Sequence, residues 1–433
     1  MESRKVLPIE PCGPLDADVR LPGSKSLTNR RLFCAALADG ESTLREVAIC
    51  ADTDRMLDGL RALGVDASFD ATQRTIALAG CRGFLPNDDA AIDCGAAGTA
   101  MRFLTALCAQ GRGRYRLDGT ERMRQRPIGP LVDALRRLGA RVRYEQVEGF
   151  PPLTVLGDGL RGGALSFETP PSSQFVSALL MAAPYADSDV FLAIEGALAS
   201  RPYVDMTLQV MRDMGVEVLE GEAQRFVVPA FQRYRAGDYA IEPDASAAAY
   251  FWAAAAVTGG RVRVVGLGRD SVQGDMRFVD VLEQMGCAVN VGPAYAEVRG
   301  PPRGQLRGVR VDLNAMPDTV QTLAVVALFA AGETHITNVA NLRIKETDRL
   351  AGLASELARL GARVDVHRDG LGIFPAREIT PAIVETYDDH RMAMSFAVAG
   401  LAGPGVAIRD PQVVRKSFPG FFDVLREMVG PAR

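Results

Sequence analysis

A pattern of about 72 residues recurs along the chain, and it limits the folds that this sequence can adopt. Five segments each combine an amphipathic helix pattern, a glycine and a short β-branched strand pattern. The glycines are Gly64, Gly139, Gly215, Gly286 and Gly361, and a shortened sixth copy ends at Gly430. Helices that end at glycine and lead into short strands are typical of α/β repeats. The pattern therefore predicts six copies of one α/β repeat.

A second set of helices follows the same period and is apolar on nearly every side. These helices are predicted to open at Ser26, Gly98, Ser172, Asp244, Asp318 and Asp389. A helix that is apolar all round is buried, whereas an amphipathic helix covers the outside of the fold. Each repeat is thus expected to contribute one buried helix and one covering helix.

The period also predicts how the chain divides. With 433 residues, two domains are expected, and six repeats divide into three for each domain. One domain is predicted over residues 22–242, and the other over residues 1–21 together with 243–433. The fold class is α/β, with the buried helices of a domain parallel and their N-termini facing an interdomain cleft. Such N-termini carry partial positive charge and bind anions.

Composition excludes several classes of function. A net charge of −4 disfavours a nucleic-acid-binding protein, and no uncharged apolar stretch of about 18 residues predicts a membrane span. The first residues lack the apolar core of a secretory signal. Seven cysteines without a CxxC pair and only three histidines disfavour a disulfide framework and a metal site. We therefore expect a cytoplasmic protein with reduced thiols and no bound metal.

The segment LPGSKSLTNRR places Lys25 beside Ser26 at the start of the first apolar helix. It lacks the glycine spacing of a Walker loop. Ser26 is the predicted N-cap, Lys25 is expected just before the helix, and Arg30 shares a face with Ser26. Because only four of the 49 basic residues are lysines, Lys25, Lys345 and Lys416 are candidate point charges for anions. The alternative is a capped helix with solvated basic residues.

Other helix starts carry similar groups. Ser172–Gln174 offers hydroxyl and amide groups, and Arg126 precedes a proline that holds it extended. The segment from Lys345 to Arg349 is predicted to form one helical turn, and His390 and Arg391 open the sixth apolar helix. Plain capping or a salt-bridged helix face remains the alternative at each place.

Taken in order, these motifs resemble one family. LPGSKSLTNR, GAAGTAMRF, RMRQRPIG, SSQF, SRPYVDMT, DASAAAY, SVQGDMRFVDVLEQMG, NLRIKETDR, DDHRMAM and KSFPGF are similar to the motifs of 5-enolpyruvylshikimate-3-phosphate synthases. The resemblance runs from about residue 7 to residue 425. It implies two domains of three βαβαββ repeats each. It also implies transfer of the enolpyruvyl group of phosphoenolpyruvate to the 5-hydroxyl of shikimate 3-phosphate, through a tetrahedral intermediate that loses phosphate. That is a step of aromatic amino-acid biosynthesis, and it needs no cofactor or metal.

The resemblance also assigns roles to residues. For shikimate 3-phosphate it implies Lys25, Ser26, Arg30, Ser172, Ser173, Gln174, Ser200, Tyr203, Asp318, Asn341 and Lys345. For phosphoenolpyruvate it implies Lys25, Gly98, Arg126, Gln174, Arg349, Arg391 and Lys416. It implies catalysis by Asp318, Glu346 and Lys25, with His390 as an additional candidate. Seven basic and two acidic residues in this set predict an electropositive site that concentrates anions.

The sequence departs from the family pattern at Ala96 and Phe103, which flank Gly98 and bear on affinity for phosphoenolpyruvate and for the family's inhibitor glyphosate.

Three rival functions fit the residues less well. A UDP-N-acetylglucosamine enolpyruvyl transferase has Lys-Asn where this chain has Lys25 and Ser26. An RNA 3′-phosphate cyclase needs a nucleotide and a nucleophilic histidine, and a phosphosugar-binding protein would not need Asp318 and Glu346.

The expected partners are the two small substrates, without nucleic acid or membrane, and the expected state is a monomer.

Overall fold

The structure is a computed structural model that describes residues 5–222 and 224–430. The chain folds into two compact units. One consists of Gly23–Ile241 and is called the N-terminal unit here. The other combines Met1–Pro22 with Glu242–Arg433 and is called the C-terminal unit.

Helices and strands alternate throughout the described residues. The α-helices are α1 (Lys25–Leu37), α2 (Ala51–Ala62), α3 (Gly98–Gln110), α4 (Gly129–Arg137), α5 (Ser173–Ala182), α6 (Arg201–Asp213), α7 (Ala245–Thr258), α8 (Phe278–Gln284), α9 (Val320–Val326), α10 (Arg349–Arg359), α11 (His390–Ala402) and α12 (Phe421–Val429). Short 3₁₀ helices lie at Met123–Gln125, Ala183–Tyr185, Gly274–Arg277, Pro317–Thr319, Ala327–Phe329, Ala340–Ile344 and Pro411–Lys416.

The strands are short, as expected for strands that connect helices within one repeat. From β1 to β12 they are Val6–Pro8, Asp16–Arg20, Asp39–Arg45, Ala67–Asp70, Thr75–Cys81, Asp89–Asp93, Arg112–Asp118, Arg141–Tyr144, Leu153–Asp158, Gly163–Glu168, Val190–Glu195 and Leu219–Gly221. From β13 to β25 they are Arg225–Val228, Asp238–Ala240, Arg261–Val265, Ala288–Val291, Tyr295–Arg299, Leu306–Arg307, Arg310–Asp312, Ala330–Ala331, Thr334–Thr337, Arg363–His367, Gly370–Phe374, Ala382–Val384 and Val406–Arg409.

Within the described residues, one sheet pattern recurs in five four-stranded sheets. In the sheet β6-β7-β9-β8, the first pair is parallel and the other two pairs are antiparallel. Helix α3 joins the parallel strands β6 and β7, and α4 follows β7, so this repeat reads βαβαββ. In the sixth repeat β24 and β25 are parallel. The N-terminal strand β1 pairs with the other edge of β25 and is antiparallel to it, which gives a three-stranded sheet.

Two strands are exchanged where the chain passes from one unit to the other. Strand β2 precedes α1 in sequence but pairs in parallel with β15, in the C-terminal unit. Strand β14 precedes α7 but pairs in parallel with β3, in the N-terminal unit. This exchange explains why the first residues belong to the C-terminal unit.

The apolar helices form the interior of each unit, as their composition predicts. Helix α7 is buried along almost its whole length, and its Trp252 donates from the indole Nε1 to the Ala296 carbonyl at 3.1 Å. The C-terminal ends of α7 and α11, together with the 3₁₀ helix Ala327–Phe329 that follows α9, border one cavity of about 420 Å³. In the part of the chain that the structure describes, no helix has the length and apolar character needed to cross a membrane.

The covering helices end as the sequence predicts. Gly64, Gly139, Gly215, Gly286 and Gly361 follow α2, α4, α6, α8 and α10, and all have positive φ. An L-residue with a side chain is strained in that conformation, which explains why glycine recurs there.

Gly157 is required for a different reason, because β9 passes close to the end of α3. A Cβ atom at Gly157 would clash with the carbonyl oxygens of Cys108 and Gly111. We predict that Gly157→Ala lowers the free energy of unfolding by about 1–3 kcal/mol and the Tm by about 3–10 °C, measured by urea and thermal denaturation. Gly13→Ala is the control because its Cβ would meet no atom within 4 Å. Equal stability of the two variants would contradict the close approach.

Candidate active site

Helix α1 begins slightly earlier than the sequence predicts. Its N-cap is Ser24, whose Oγ accepts from the Leu27 amide at 3.4 Å, so the predicted cap at Ser26 is wrong. Lys25 is the first helical residue rather than a residue outside the helix. Its ammonium group lies 3.0 Å from the carboxylate of Asp52 in the first turn of α2. The two groups form an ion pair at the starts of two neighbouring helices.

Arg30 lies deeper than expected for a side chain that contacts substrate, with only 2% of its surface exposed. Its Nε donates to Thr207 Oγ1 at 2.7 Å, and its Nη2 donates to the Tyr203 carbonyl at 3.0 Å. Its Nη1 donates to the Ser26 carbonyl at 3.0 Å. Burial lowers the pKa of Arg30 to about 10, and its guanidinium lies 5.5 Å from the ring centre of Phe103. Arg30 therefore joins α1 to α6.

The start of α3 lies directly against Arg126. A Cβ atom at Gly98 would lie 2.6 Å from Nη2 and 2.9 Å from Cζ of Arg126. Nη1 of Arg126 is 3.5 Å from the Ala96 carbonyl. The glycine therefore lets a buried guanidinium sit at the N-terminus of α3, and Ala96 contacts it through the backbone. Gln174, at the start of α5, donates to Thr99 at 3.3 Å, which brings the starts of α3 and α5 together.

Hydroxyl groups lie at the starts of α5 and α6 in the same unit. Ser172 is the N-cap of α5, as the sequence predicts, and its Oγ accepts from the Gln174 amide at 3.3 Å. Ser173 follows it as the first helical residue. Ser200 precedes α6 with a left-handed φ of 59°, and Tyr203 lies in the first turn of that helix. These groups are suited to hydrogen bonds with hydroxyl and phosphate oxygens.

In the C-terminal unit, Arg349 forms ion pairs with three carboxylates. Its guanidinium lies 2.7 Å from Asp389, 2.9 Å from Glu346 and 3.2 Å from Asp318. Its side chain is 2% exposed. Burial acts to lower the pKa of Arg349, but the carboxylates, with Asp389 the strongest, outweigh it and raise the pKa above its ordinary value.

Arg391 holds the other side of Asp318. Its Nη2 donates to Asp318 Oδ2 at 2.7 Å, and its Nη1 donates to the Asp318 carbonyl at 3.2 Å and to the phenol of Tyr250 at 3.1 Å. Arg391 therefore joins the start of α11 to the turn before α9 and to the second turn of α7. Asp318 lies in a 3₁₀ turn, Pro317–Thr319, and α9 begins only at Val320. The α-helix predicted to open at Asp318 thus starts two residues later than expected.

Glu346 connects Arg349 to Lys416, whose ammonium nitrogen lies 3.7 Å from Glu346 Oε1. The prediction that Lys345, Glu346 and Arg349 form one helical turn is wrong. Residues 340–344 form a 3₁₀ helix, α10 begins at Arg349, and Asp348 is its N-cap. Lys345 and Glu346 lie in the connecting loop because the cap at Asp348 fixes where the helix starts.

Two further predicted residues lie close to this cluster in sequence and structure. Asn341 is in the 3₁₀ helix before Lys345, and its Oδ1 is buried without a hydrogen-bond partner among the described residues. His390 is the first residue of α11, with Nδ1 3.5 Å from Asp389 Oδ1. An unsatisfied buried oxygen is costly unless a ligand or water supplies a donor.

Sequence reasoning misses three carboxylates that the structure places against the candidate cations. Asp52 pairs with Lys25, and Asp389 pairs with Arg349. Asp275 is buried, receives a hydrogen bond from Ser246, and lies within electrostatic reach of Arg391 as well as of Asp318. The cations are therefore more fully compensated than their number suggests. Asp389 lies in DDHRMAM and Asp275 in SVQGDMRFVDVLEQMG, but neither motif assigned a role to its carboxylate, and no motif marked Asp52. Within residues 5–222 and 224–430, no three His, Cys, Asp or Glu side chains are grouped as a metal site requires.

Comparison with known proteins decides the family. A sequence model described as EPSP synthase (3-phosphoshikimate 1-carboxyvinyltransferase) matches residues 9–425. The chain belongs to this family.

Relatives within the family match along almost their whole length. The chain is 47% identical to a 3-phosphoshikimate 1-carboxyvinyltransferase of Trichormus variabilis, covering 96% of this chain and 97% of that protein. It is 46% identical to one of Vibrio atlanticus, covering 97% and 98%. A solved structure of EPSP synthase from Acinetobacter baumannii has a TM-score of 0.83 at 23% identity, covering 98% of each chain. That structural likeness supports the α/β fold of repeats.

The buried Asp275 generates a prediction about pH. Burial, helped by Asp318, raises the pKa of Asp275 to about 7, so the folded state retains a proton that the unfolded state releases. The stability it contributes is therefore present at low pH and is lost as the pH rises towards 7. We predict that the free energy of unfolding of the wild type falls by about 2–3 kcal/mol relative to Asp275→Asn between about pH 5 and pH 8.

Urea denaturation at both pH values measures this difference. Asp280→Asn is the control because Asp280 is exposed on α8 of the same unit. It should follow the wild type at both pH values. An Asp275→Asn curve parallel to the wild type would show that Asp275 is ionised throughout.

Proposed function

We infer that this chain is a 3-phosphoshikimate 1-carboxyvinyltransferase. It transfers the enolpyruvyl group of phosphoenolpyruvate to the 5-hydroxyl of shikimate 3-phosphate and releases phosphate. Membership of the family over residues 9–425 supports this function. The observation that carries it at the site is the carboxylate of Asp318, held between the buried guanidinium groups of Arg349 and Arg391 at 3.2 and 2.7 Å.

The C-terminal unit supplies the groups for phosphoenolpyruvate and for proton transfer. Arg349, Arg391 and Lys416 would hold the carboxylate and phosphate of phosphoenolpyruvate. These anionic oxygens would compete with Asp318 and Glu346 for the same cations. Substrate binding would thereby release two carboxylates beside the reacting atoms. Asp318 would accept the proton of the 5-hydroxyl, and Glu346 would take part in proton transfer at C3.

The N-terminal unit supplies groups suited to shikimate 3-phosphate. Lys25 would provide a point charge that reaches both substrates and stabilises the charge that develops on the departing phosphate. The remaining residues proposed for shikimate 3-phosphate are Ser26, Arg30, Ser172, Ser173, Gln174, Ser200 and Tyr203 of this unit, together with Asp318, Asn341 and Lys345 of the C-terminal unit. The side chain of Arg30 is already bonded to protein groups on three sides, so its share in ligand binding is smaller than its charge suggests.

Gly98 and Arg126 complete the proposed phosphoenolpyruvate set with Gln174. The guanidinium of Arg126 and the amide groups at the start of α3, which have no partner within the helix, both favour an anion. His390 is retained as an additional candidate because it shares the start of α11 with Arg391. The proposed chemistry uses side chains and helix starts of the protein itself.

Three further properties are part of the proposal. We propose residues 22–242 as one domain and residues 1–21 with 243–433 as the other, supported by the two compact units into which the chain folds. We propose that the protein works in the cytoplasm as a monomer. The seven free cysteines are in keeping with a reducing compartment.

The decisive assay measures phosphate release from phosphoenolpyruvate by the purified protein. Shikimate 3-phosphate should support release, and UDP-N-acetylglucosamine should not. Release with UDP-N-acetylglucosamine alone would overturn the assignment in favour of the other enolpyruvyl transferase. Release with neither acceptor would remove the transferase function.

Asp318 provides the sharpest mutational prediction. Asp318→Asn keeps the size of the side chain and one oxygen for the two arginines, but it removes the proton acceptor. We predict that kcat falls by at least about 10²-fold while shikimate 3-phosphate still binds, measured by steady-state kinetics and by calorimetric titration. Asp280→Asn should keep the wild-type rate. Near-normal turnover by Asp318→Asn would remove Asp318 from the proton-transfer role.

A further inference from the structure

A buried carboxylate outside the proposed catalytic set lies beneath the segment that leads into α11. Glu356 is on α10 and its side chain is 0% exposed. Its Oε2 accepts from the backbone amide of Glu385 at 3.0 Å, and its Oε1 accepts from the phenol of Tyr387 at 2.7 Å. Arg359 lies 3.3 Å away, on the same helix. The carboxylate thus fixes two points of the segment 385–387.

The segment that Glu356 holds has an unusual backbone. Tyr387 and Asp388 have φ values of 52° and 54°, so two consecutive residues other than glycine are left-handed. Side chains disfavour that conformation, and it persists only where surrounding contacts determine it. Thr386 is buried, and its carbonyl accepts from the Asp389 amide at 2.8 Å. The strained turn therefore ends directly at Asp389.

Asp389 is the point where this turn meets the site. Its carboxylate binds Arg349 at 2.7 Å and caps α11 by accepting from the Arg391 amide at 2.9 Å. A displacement of Asp389 would move the guanidinium of Arg349 and the first turn that carries Arg391. Helix α10 thus contacts the segment twice, through Arg349 near its start and through Glu356 two turns later.

We propose that Glu356 is a positioning residue for phosphoenolpyruvate. Glu356 holds the strained turn by accepting hydrogen bonds from Tyr387 and from the Glu385 amide. The turn fixes the position of Asp389, and Asp389 fixes the positions of Arg349 and Arg391. This inference rests on the proposed function, because it takes Arg349 and Arg391 as the groups that bind phosphoenolpyruvate. Most of the groups proposed for shikimate 3-phosphate belong to the N-terminal unit, so binding of that substrate should be affected much less.

The test alters each partner of the hydrogen bond between Tyr387 and Glu356. Tyr387→Phe deletes only the phenol oxygen of a side chain that is 40% exposed, so the fold should tolerate it. Glu356→Gln keeps one acceptor oxygen and replaces the other with an NH₂ group. That NH₂ group cannot accept a hydrogen bond, so either the Tyr387 phenol or the Glu385 amide loses its acceptor. Tyr295→Phe is the matched control, since it deletes a phenol oxygen bonded to Asn290 at 3.3 Å in the same unit. Steady-state kinetics for both substrates, thermal denaturation and the double variant complete the set.

We expect Tyr387→Phe to raise KM for phosphoenolpyruvate about 3- to 10-fold, with KM for shikimate 3-phosphate and kcat changed by less than about twofold and Tm by less than about 2 °C. Glu356→Gln should raise the same KM by at least as much. Because both changes act on the turn through the same pair of contacting side chains, the double variant should lose less than the product of the two single effects. Tyr295→Phe should match the wild type.

Two results would overturn the inference while leaving the proposed function intact. One is an active wild type whose KM for phosphoenolpyruvate is unchanged in Tyr387→Phe. The other is a loss in which both KM values and Tm change together, as a purely structural role would give. A wild type that releases no phosphate with shikimate 3-phosphate would instead overturn the proposed function itself, and the positioning role with it.

Discussion

The charge of Arg349 is the constraint on which the C-terminal unit depends. A guanidinium removed from water is costly unless carboxylates surround it with good geometry. Asp318, Glu346 and Asp389 do so from the 3₁₀ turn before α9, from the loop before α10 and from the N-cap of α11. One side chain thereby ties three separate segments to one point. Packing of apolar helices alone would fix their separation but not the register of their polar ends.

Repetition explains why those polar ends meet at all. The buried helices α3, α5, α9 and α11 each lie between two strands that pair in parallel, and a crossover of that kind has one strongly preferred hand. Copies of the repeat within a unit consequently point their buried helices in the same direction. The helix starts gather at one end, where the free amide groups favour anions. At the opposite end of α7, α9 and α11, Arg303 and Arg377 border the cavity at the carbonyl ends, where positive charge is favourable.

The two units use this shared scaffold for different chemistry. In the N-terminal unit the helix starts carry Ser172, Ser173 and the pair of Lys25 with Asp52, which suit hydroxyl and phosphate oxygens. In the C-terminal unit they carry guanidinium groups matched by carboxylates. Residues at a helix start contribute little to the apolar core, so they can differ between repeats without changing the fold. The positions that do hold the fold, such as the glycines after the covering helices, recur instead.

The sequence by itself determined the repeats, the burial of one helix in each, the glycine ends and the family, because periodicity, apolar content and ordered motifs are local properties of the chain. The tertiary structure alone decided that Ser24 caps α1, that Glu346 lies in a loop, and that Asp52 and Asp389 neutralise Lys25 and Arg349. A cap depends on which of two nearby serines reaches the free amide groups. An ion pair between residues 27 or 40 positions apart leaves no periodic trace, since only folding brings its two partners together.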